Sequence, residues 1–168
     1  MRGLPLAISA VLSMSIGCGG APRDFQPQRV ANREVSELTI FDDEGNDQAL
    51  ADHLGSPLVL HVFASWCAAC RVELPALMQL ETDTHIPVVA LSIDPTFGRV
   101  RALFGGRAPP NVFRVDEQDV RRELGVSSLP QTFLVDARGR VRVRFAGARD
   151  WSDDDLRDLV RRELGLEE

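Results

Sequence analysis

Two cysteines three positions apart, Cys67 and Cys70, are the residues of this sequence best suited to chemistry. They follow the apolar run 57–63 (PLVLHVF), which is typical of a central strand buried on both faces. A helical pattern of apolar residues then continues from residue 68 to about residue 80. Unpaired N–H groups and the dipole at a helix N-terminus favour a thiolate. We therefore predict that Cys67 is a nucleophile and that Cys70, one turn into the helix, is the resolving thiol.

Two other uses of the cysteine pair stay open at this point. A structural zinc site needs four ligands, but the predicted domain has no further cysteine, and His53, His61 and His85 are scattered along the chain. We therefore predict no metal site. A purely structural disulfide is the second alternative, although such bridges rarely close so short a loop directly after a buried strand. The pattern favours a redox-active cysteine pair.

Three more residues near the cysteines are candidates for the same chemistry. His61 lies in the middle of the apolar strand, where it relays a proton for Cys70 or is a core histidine bonded to the backbone. Glu73 lies one turn after Cys70; it is a partly desolvated base or a solvated residue paired with Arg71 or Arg149. Trp66, directly before Cys67, is expected to shield the disulfide from one side.

Strands and helices alternate along the rest of the chain. We predict a short helix from Asp47, a strand over 86–93, a helix over 97–104, a strand over 112–115 and a helix over 117–124 that Gly125 ends. A hairpin of strands 131–135 and 140–145 and a last helix capped by Ser152 follow. This order predicts an α/β fold with a mixed central β-sheet flanked by helices.

The segment Ala64-Ser65-Trp66-Cys67-Ala68-Ala69-Cys70-Arg71-Val72-Glu73-Leu74-Pro75 resembles the active-site signature of TlpA/ResA-like thioredoxin-fold proteins. These are membrane-associated thiol–disulfide oxidoreductases of bacteria. Residues 128–136 (SLPQTFLVD) resemble the cis-proline segment of the same family. The resemblance covers about residues 38–164.

This resemblance implies a thioredoxin-like fold with an N-terminal strand extension and a central helix/strand insert. It implies a redox-active Cys67–Cys70 disulfide and a cis peptide at Leu129–Pro130, beside which an extended substrate segment pairs with the backbone of Leu129. Trp66, Leu129 and Pro130 are then substrate-binding residues. No cofactor is needed, because the dithiol itself carries two electrons.

The resemblance also implies partners and clients. The expected partners are protein disulfides or dithiols and an upstream electron donor in the membrane. The client is left open: an apocytochrome c, a copper-centre assembly factor or a general periplasmic protein.

Two departures from the family pattern affect the expected redox properties. Ala69 stands where the family commonly has proline before the second cysteine, and His61 stands where thioredoxins have a buried aspartate. A peroxiredoxin-type peroxidase is an alternative function, but Ala64 takes the place of the threonine that such enzymes use. A non-catalytic copper chaperone is another alternative, although the resembling chaperones have a wider cysteine spacing.

The N-terminus has the pattern of a secretion signal. A positive start and an apolar run predict a signal peptide over 1–17, and small residues before Cys18 resemble a lipobox. We predict lipidation of Cys18, an anchor and flexible linker over 18–35, and a thioredoxin-like domain over 36–166. An ordinary cleaved signal is the alternative. The prediction places the protein outside the cytoplasm, in the periplasm, as a membrane-anchored lipoprotein.

The overall composition is that of one soluble domain. Charged residues make up 26% of the chain and hydrophobic residues 44%, which is ordinary for a globular protein. The net charge of -6 argues against a nucleic-acid partner. We expect a monomer.

Overall fold

The computed structural model describes residues 25–31 and 33–166 of the chain. Within this range, eight strands form one sheet in the order β1-β8-β7-β4-β5-β6-β2-β3. Strands β4, β5 and β6 are parallel, and the other neighbours are antiparallel. The strands are β1 (Gln28–Arg29), β2 (Thr39–Phe41), β3 (Asp47–Ala49), β4 (Leu58–Phe63), β5 (Val88–Ser92), β6 (Val112–Val115), β7 (Gln131–Val135) and β8 (Val141–Ala146).

Helices pack on this sheet, so the predicted α/β class with a mixed central sheet is confirmed. The helices are α1 (Ala68–Thr84), α2 (Phe97–Leu103), α3 (Glu117–Asp119) and α4 (Asp154–Leu164). Helix α3 continues as a π-helical stretch, Val120–Leu124, which ends at Gly125 in the left-handed conformation, as predicted. A 3-10 helix, Leu50–His53, follows β3.

The core consists of two hydrophobic clusters. One cluster joins the sheet to the second half of α1 and to α4, and Trp151 and Phe145 pack edge to face within it. The other cluster contains both cysteines and the apolar residues of α2 and of the π-helical stretch. Every residue of β4, β5 and β7 is buried, as the apolar runs predicted for β4 and β5. The Val, Leu and Phe side chains among them each contribute about 1.5–3 kcal/mol by leaving water, which makes the strands below the cysteines a rigid base.

Strand β4 and helix α1 position the cysteines, and both were predicted. Helix α1 continues through Pro75 to Thr84, beyond the predicted end near residue 80. The Thr84 hydroxyl donates to the carbonyl of Leu80, and His85 ends the helix with a left-handed φ of 58°.

The prediction of a helix that begins at Asp47 was wrong. Residues Asp47–Ala49 form β3, which pairs with β2 through the partners Ile40 and Gln48. The carboxylate of Asp42 accepts hydrogen bonds from the backbone N–H groups of Glu44 and Asn46. An aspartate that bonds its own turn in this way favours a hairpin, and the chain reaches helical geometry only at Leu50.

The prediction that Ser152 caps the last helix was also wrong. Asp153 is the N-cap of α4, and its carboxylate accepts from the N–H groups of Asp155 and Leu156. The Ser152 hydroxyl instead bonds the carboxylate of Asp150. A carboxylate is the stronger cap because it also complements the positive end of the helix dipole.

The chain packs on the domain earlier than the linker predicted over 18–35 implied. Gln28–Arg29 form β1, which pairs with Arg144 and Val143 of β8. Phe25 packs on the second hydrophobic cluster, and Val35 is fully buried. The pairing partners lie more than a hundred positions away in the sequence, so local composition did not indicate them.

Candidate active site

Cys67 and Cys70 lie where β4 ends and α1 begins. Cys67 is the N-cap residue of α1, and its Sγ accepts a hydrogen bond of 3.2 Å from the backbone N–H of Cys70. The two cysteines form a disulfide with their Cα atoms 5.3 Å apart. A sulfur at an N-cap faces the unpaired N–H groups of the first turn, which stabilise negative charge there. The sequence placed both cysteines at this junction.

The two sulfurs differ in their access to solvent. Cys67 is 9% exposed, whereas Cys70 is fully buried. Cys67 also lines a groove of about 420 Å³, which Cys70 does not. An incoming disulfide therefore meets Cys67 first, which suits the attacking and resolving roles predicted for the pair.

The groove beside Cys67 brings together distant parts of the chain. Its walls include Trp66 and Leu129, two of the three residues predicted to bind substrate. The Leu129–Pro130 peptide is cis, as the family resemblance implied, and the Pro130 carbonyl accepts from the N–H of Gly147. The remaining lining residues are Ala68, Ile93, Glu117, Val120, Arg121, Val126, Ser127 and Ser128.

Trp66 is one of the few large hydrophobic side chains that the described part of the chain exposes. Its exposed fraction is 59%, while the apolar side chains below it are buried. It lines the same groove as Cys67, its neighbour in the sequence. A large exposed aromatic side chain at a groove edge is typical of a binding contact.

Behind the disulfide, a buried polar cluster lies between the sheet and α1. His61 of β4 is fully buried, and its Nδ1 lies 2.9 Å from the hydroxyl of Thr132, its cross-strand neighbour on β7. Its Nε2 lies 3.5 Å from Oε1 of Glu73. Neither of these two atoms has another hydrogen-bond partner. His61 and Glu73 thus face each other across a space that one proton can bridge.

Glu73 is held by groups other than those proposed from the sequence. It is only 3% exposed, so of the two alternatives that the sequence left open, the solvated residue is excluded. Its Oε2 accepts 2.7 Å from the backbone N–H of Arg149 and 3.3 Å from Nε1 of Trp151. Arg149 therefore contacts Glu73 through its main chain, and its guanidinium bonds the carbonyls of Phe25, Gly147 and Ala148.

Burial sets the ionisation of this pair. Desolvation raises the pKa of Glu73 from 4.5 to about 7, and the bonds from Arg149 and Trp151 oppose that rise. Desolvation also lowers the pKa of His61 from 6.5 to about 3, so its imidazole is neutral at physiological pH. A protonated Glu73 can donate to a neutral His61, and the two carry one proton together. Glu73 lies one turn after Cys70 on the buried face of α1, which places this proton near the resolving sulfur.

Two polar residues at the site escaped the sequence analysis. Thr132 bonds His61, but only the register of β4 and β7 brings the two together. Asp94 is fully buried and bonds Ser65, two residues before Cys67. A signal for Asp94 did exist: it directly follows a buried parallel strand, and the carboxyl ends of parallel strands share an edge.

Three further predictions concern a metal site, a membrane span and the N-terminal residues. Among residues 25–31 and 33–166, no group of three or more His, Cys, Asp or Glu side chains is arranged to hold a metal ion. No helix in that same range is long and apolar enough to cross a membrane. Cys18 and the signal peptide predicted over 1–17 lie outside the described residues.

Comparison with known proteins identifies the family. The profile of the AhpC/TSA family matches residues 31–144, which is more than half of the chain. The chain belongs to the AhpC/TSA family. This membership and the sheet topology together confirm the predicted thioredoxin-like fold.

Two relatives that are similar in sequence are both named thiol:disulfide interchange protein DsbE. The thiol:disulfide interchange protein DsbE of Pseudomonas fluorescens biotype C is 33% identical over 111 residues, which cover 62% of this chain and 61% of that protein. DsbE of Allochromatium vinosum is 26% identical over 170 residues, covering 97% of this chain and 92% of that protein. The sequence-based prediction of a thiol–disulfide oxidoreductase agrees with these relatives.

A solved structure extends the comparison to the fold. The crystal structure of a putative thiol:disulfide interchange protein DsbE from Chlorobium tepidum superposes with a TM-score of 0.70 at 25% identity. The superposition covers 82% of this chain and all of that one. The AhpC/TSA chain described here thus has the fold of a protein with the same name as its sequence relatives.

Proposed function

We propose that this protein is an extracytoplasmic thiol–disulfide oxidoreductase that exchanges electrons with protein disulfides through Cys67 and Cys70. The observation that carries the proposal is the contrast between the two sulfurs. Cys67 caps α1 and lines a groove with Leu129, while Cys70 is sealed behind it. The relatives named as thiol:disulfide interchange proteins support the same reaction.

In the reducing direction, the thiolate of Cys67 attacks one sulfur of a substrate disulfide in the groove. The substrate S–S bond breaks, a mixed disulfide with Cys67 forms, and the other substrate sulfur leaves as a thiolate that takes up a proton. Cys70 then loses its proton and attacks Cys67, which releases the second substrate thiol and regenerates the Cys67–Cys70 disulfide. The same steps in reverse oxidise a dithiol.

The buried pair gives the second step a route for the proton. Cys70 must lose its proton in a place that solvent does not reach. In this proposal the ionised form of Glu73, which a pKa of about 7 makes available near neutral pH, accepts that proton and later returns it, and the facing Nε2 of His61 bonds the protonated acid. The two residues are thus an acid–base unit for the resolving thiol.

Substrate binding is assigned to the groove. An extended segment of the client pairs with the backbone of Leu129 beside the cis peptide to Pro130, and Trp66, which lines the same groove, packs against that segment. The apolar lining suits a client whose disulfide lies in an unfolded or extended segment.

The activity is tested by reduction of insulin with the reduced protein, followed as precipitation of the free B chain. We expect the full chain to accelerate this reaction in the presence of dithiothreitol, and the double variant Cys67→Ser, Cys70→Ser to be inactive. Parallel assays with hydrogen peroxide and with Cu(I) test the two alternatives. Peroxide turnover without insulin reduction would favour a peroxidase, and stoichiometric Cu(I) retention without exchange would favour a chaperone.

The anchoring and the clients are finer parts of the proposal. We propose that Cys18 carries a lipid that tethers the domain to a membrane, where a membrane protein supplies electrons. The clients would be proteins whose cysteines must be reduced before they bind haem or copper. Labelling with a palmitate analogue tests the anchor: the native chain should incorporate it and Cys18→Ala should not. Incorporation into both chains, or into neither, would contradict lipidation of Cys18.

A further inference from the structure

Asp94 is a buried carboxylate that the reaction above does not use. It follows β5 and is fully buried. Its Oδ2 accepts from the backbone N–H of Ser65 at 2.7 Å and from the Ser92 hydroxyl at 2.8 Å, and its Oδ1 accepts from the Ser65 hydroxyl at 2.8 Å. All three contacts are hydrogen bonds that the carboxylate accepts.

Such a group is costly to bury. Moving a carboxylate out of water is unfavourable unless charges or hydrogen bonds compensate. In the described part of the chain, no Arg or His nitrogen lies within 4.0 Å of Asp94, so serine and backbone donors alone compensate it. An apolar residue would fill this interior at lower cost, which suggests that the carboxylate serves the site beside it.

The segment that Asp94 holds leads directly to the reactive sulfur. Ser65 is bonded through both its backbone and its side chain, so its position and its orientation are fixed together. Trp66 follows, largely exposed, and the next residue is Cys67. Ile93, the neighbour of Asp94, lines the same groove as Trp66 and Cys67. Asp94 therefore ties the end of β5 to one wall of the groove.

We infer that Asp94 is a positioning residue that fixes Trp66 as a wall of the substrate groove and so sets the preference for protein disulfides over small ones. A tryptophan that is 59% exposed depends on the backbone that carries it for a fixed position. A protein client needs this wall in place before it binds, whereas a small disulfide needs only access to the sulfur. The inference rests on the proposed function and deepens it.

The test compares two substrates in one double-mutant cycle. The second-order rate constants of the reduced full chain are measured with insulin and with 5,5′-dithiobis(2-nitrobenzoate). We expect Asp94→Asn to lower the insulin constant by about tenfold, which corresponds to about 1.4 kcal/mol of lost client contact, and to change the constant for the small disulfide less than about twofold. Trp66→Ala should have the same pattern, and the double variant should be no slower than the slower single variant. Asp52→Asn, which removes an exposed carboxylate, is the matched control and should leave both constants unchanged.

The possible results distinguish a failure of the role assigned to Asp94 from a failure of the proposed function. Equal losses on both substrates, or losses that multiply in the double variant, would overturn the role assigned to Asp94 while the proposed function stands. A wild-type chain that reduces neither substrate would overturn the proposed function and this inference together. If Asp94→Asn does not fold, Ser65→Ala replaces it, since it removes one of the three bonds and keeps the backbone one. Ser65→Ala should lower the rate constant for insulin by about threefold and leave the constant for the small disulfide unchanged. If the ratio of these two constants in Ser65→Ala equals that of the wild type, the inference is overturned.

Discussion

The first turn of helix α1 gives its two cysteines different surroundings. On the open side, at the helix N-terminus, Cys67 lines a groove together with the exposed Trp66. On the closed side, Cys70 and Glu73 are buried one turn apart on α1, and Glu73 faces His61 of β4. Substrate contact is thus assigned to the N-terminus of the helix and proton handling to its buried face. Changes on the open side should therefore affect client selection, and changes on the closed side should affect proton transfer and stability.

The largest expected effect separates the two sulfurs. Cys67→Ser should lose insulin reduction by about 10³-fold or more, because the remaining Cys70 is buried and cannot reach a substrate. Cys70→Ser should also lose turnover but should accumulate a mixed disulfide with the substrate. Non-reducing gel electrophoresis with mass spectrometry checks this. A mixed disulfide of equal yield through Cys70 in the Cys67→Ser variant would show that Cys70 is as accessible to a substrate as Cys67.

The next effect concerns the closed side and its pH dependence. Folding raises the pKa of Glu73 from 4.5 to about 7. Between these values the folded protein holds a proton that the unfolded chain has released, so the contribution of Glu73 to the free energy of unfolding falls as the pH rises. The fall amounts to about 3 kcal/mol and is complete above pH 7. Glu73→Gln resembles the protonated acid at every pH, so its free energy of unfolding should not show this fall.

Urea unfolding of both chains between pH 4.5 and 8 measures this difference. The free energy of unfolding of Glu73→Gln minus that of the wild type should increase by about 3 kcal/mol across the range. Glu37→Gln, an exposed carboxylate, is the matched control. A difference that stays constant with pH would mean that Glu73 is ionised throughout, and the shared proton would be ruled out.

A smaller effect is expected from the partner of His61. Thr132→Val keeps the shape of the side chain but leaves Nδ1 of His61 without its hydrogen bond at 2.9 Å. The free energy of unfolding should fall by about 1–3 kcal/mol, while the second-order rate constant with a small disulfide stays within about twofold. Denaturant titration and stopped-flow kinetics check the two parts. A large kinetic loss without a loss of stability would place Thr132 in the reaction itself.

The open side of α1 should give the smallest change in stability. Val72 is 81% exposed, so Val72→Ser should alter the free energy of unfolding by less than about 0.5 kcal/mol. The same denaturant titration measures it. A loss above about 1 kcal/mol would show that this side is packed and would weaken the contrast between the two faces.

The open side could be predicted from the sequence far better than the closed side. The apolar run of β4, the cysteine spacing and the helical pattern of α1 are local signals, and together they place Cys67 at a helix N-terminus. The family motif adds the cis peptide at Pro130. The closed side depends on contacts between distant residues: Glu73 bonds Trp151 and the backbone of Arg149, and no local pattern indicates such a pairing.

The same physical reason explains the errors in the fold. Strand β3 and strand β1 are short and polar, and each exists because a partner strand binds it. A two-residue strand that pairs with Val143 has no periodicity to detect, and a composition rich in Gln and Arg suggested a linker instead. Elements that carry their own apolar pattern were predicted, and elements stabilised by their neighbours were not.

The proposed reaction depends on a Cys67 thiol that its place at the N-terminus of α1 makes acidic. The pH dependence of iodoacetamide alkylation of each cysteine in the fully reduced protein, followed by peptide mass spectrometry, measures this acidity. We expect Cys67 to titrate at least about one pH unit below the ordinary thiol value of about 8.5 and to react much faster than Cys70. Alkylation of Cys67 with a midpoint near 8.5, or equal rates for the two cysteines, would contradict it.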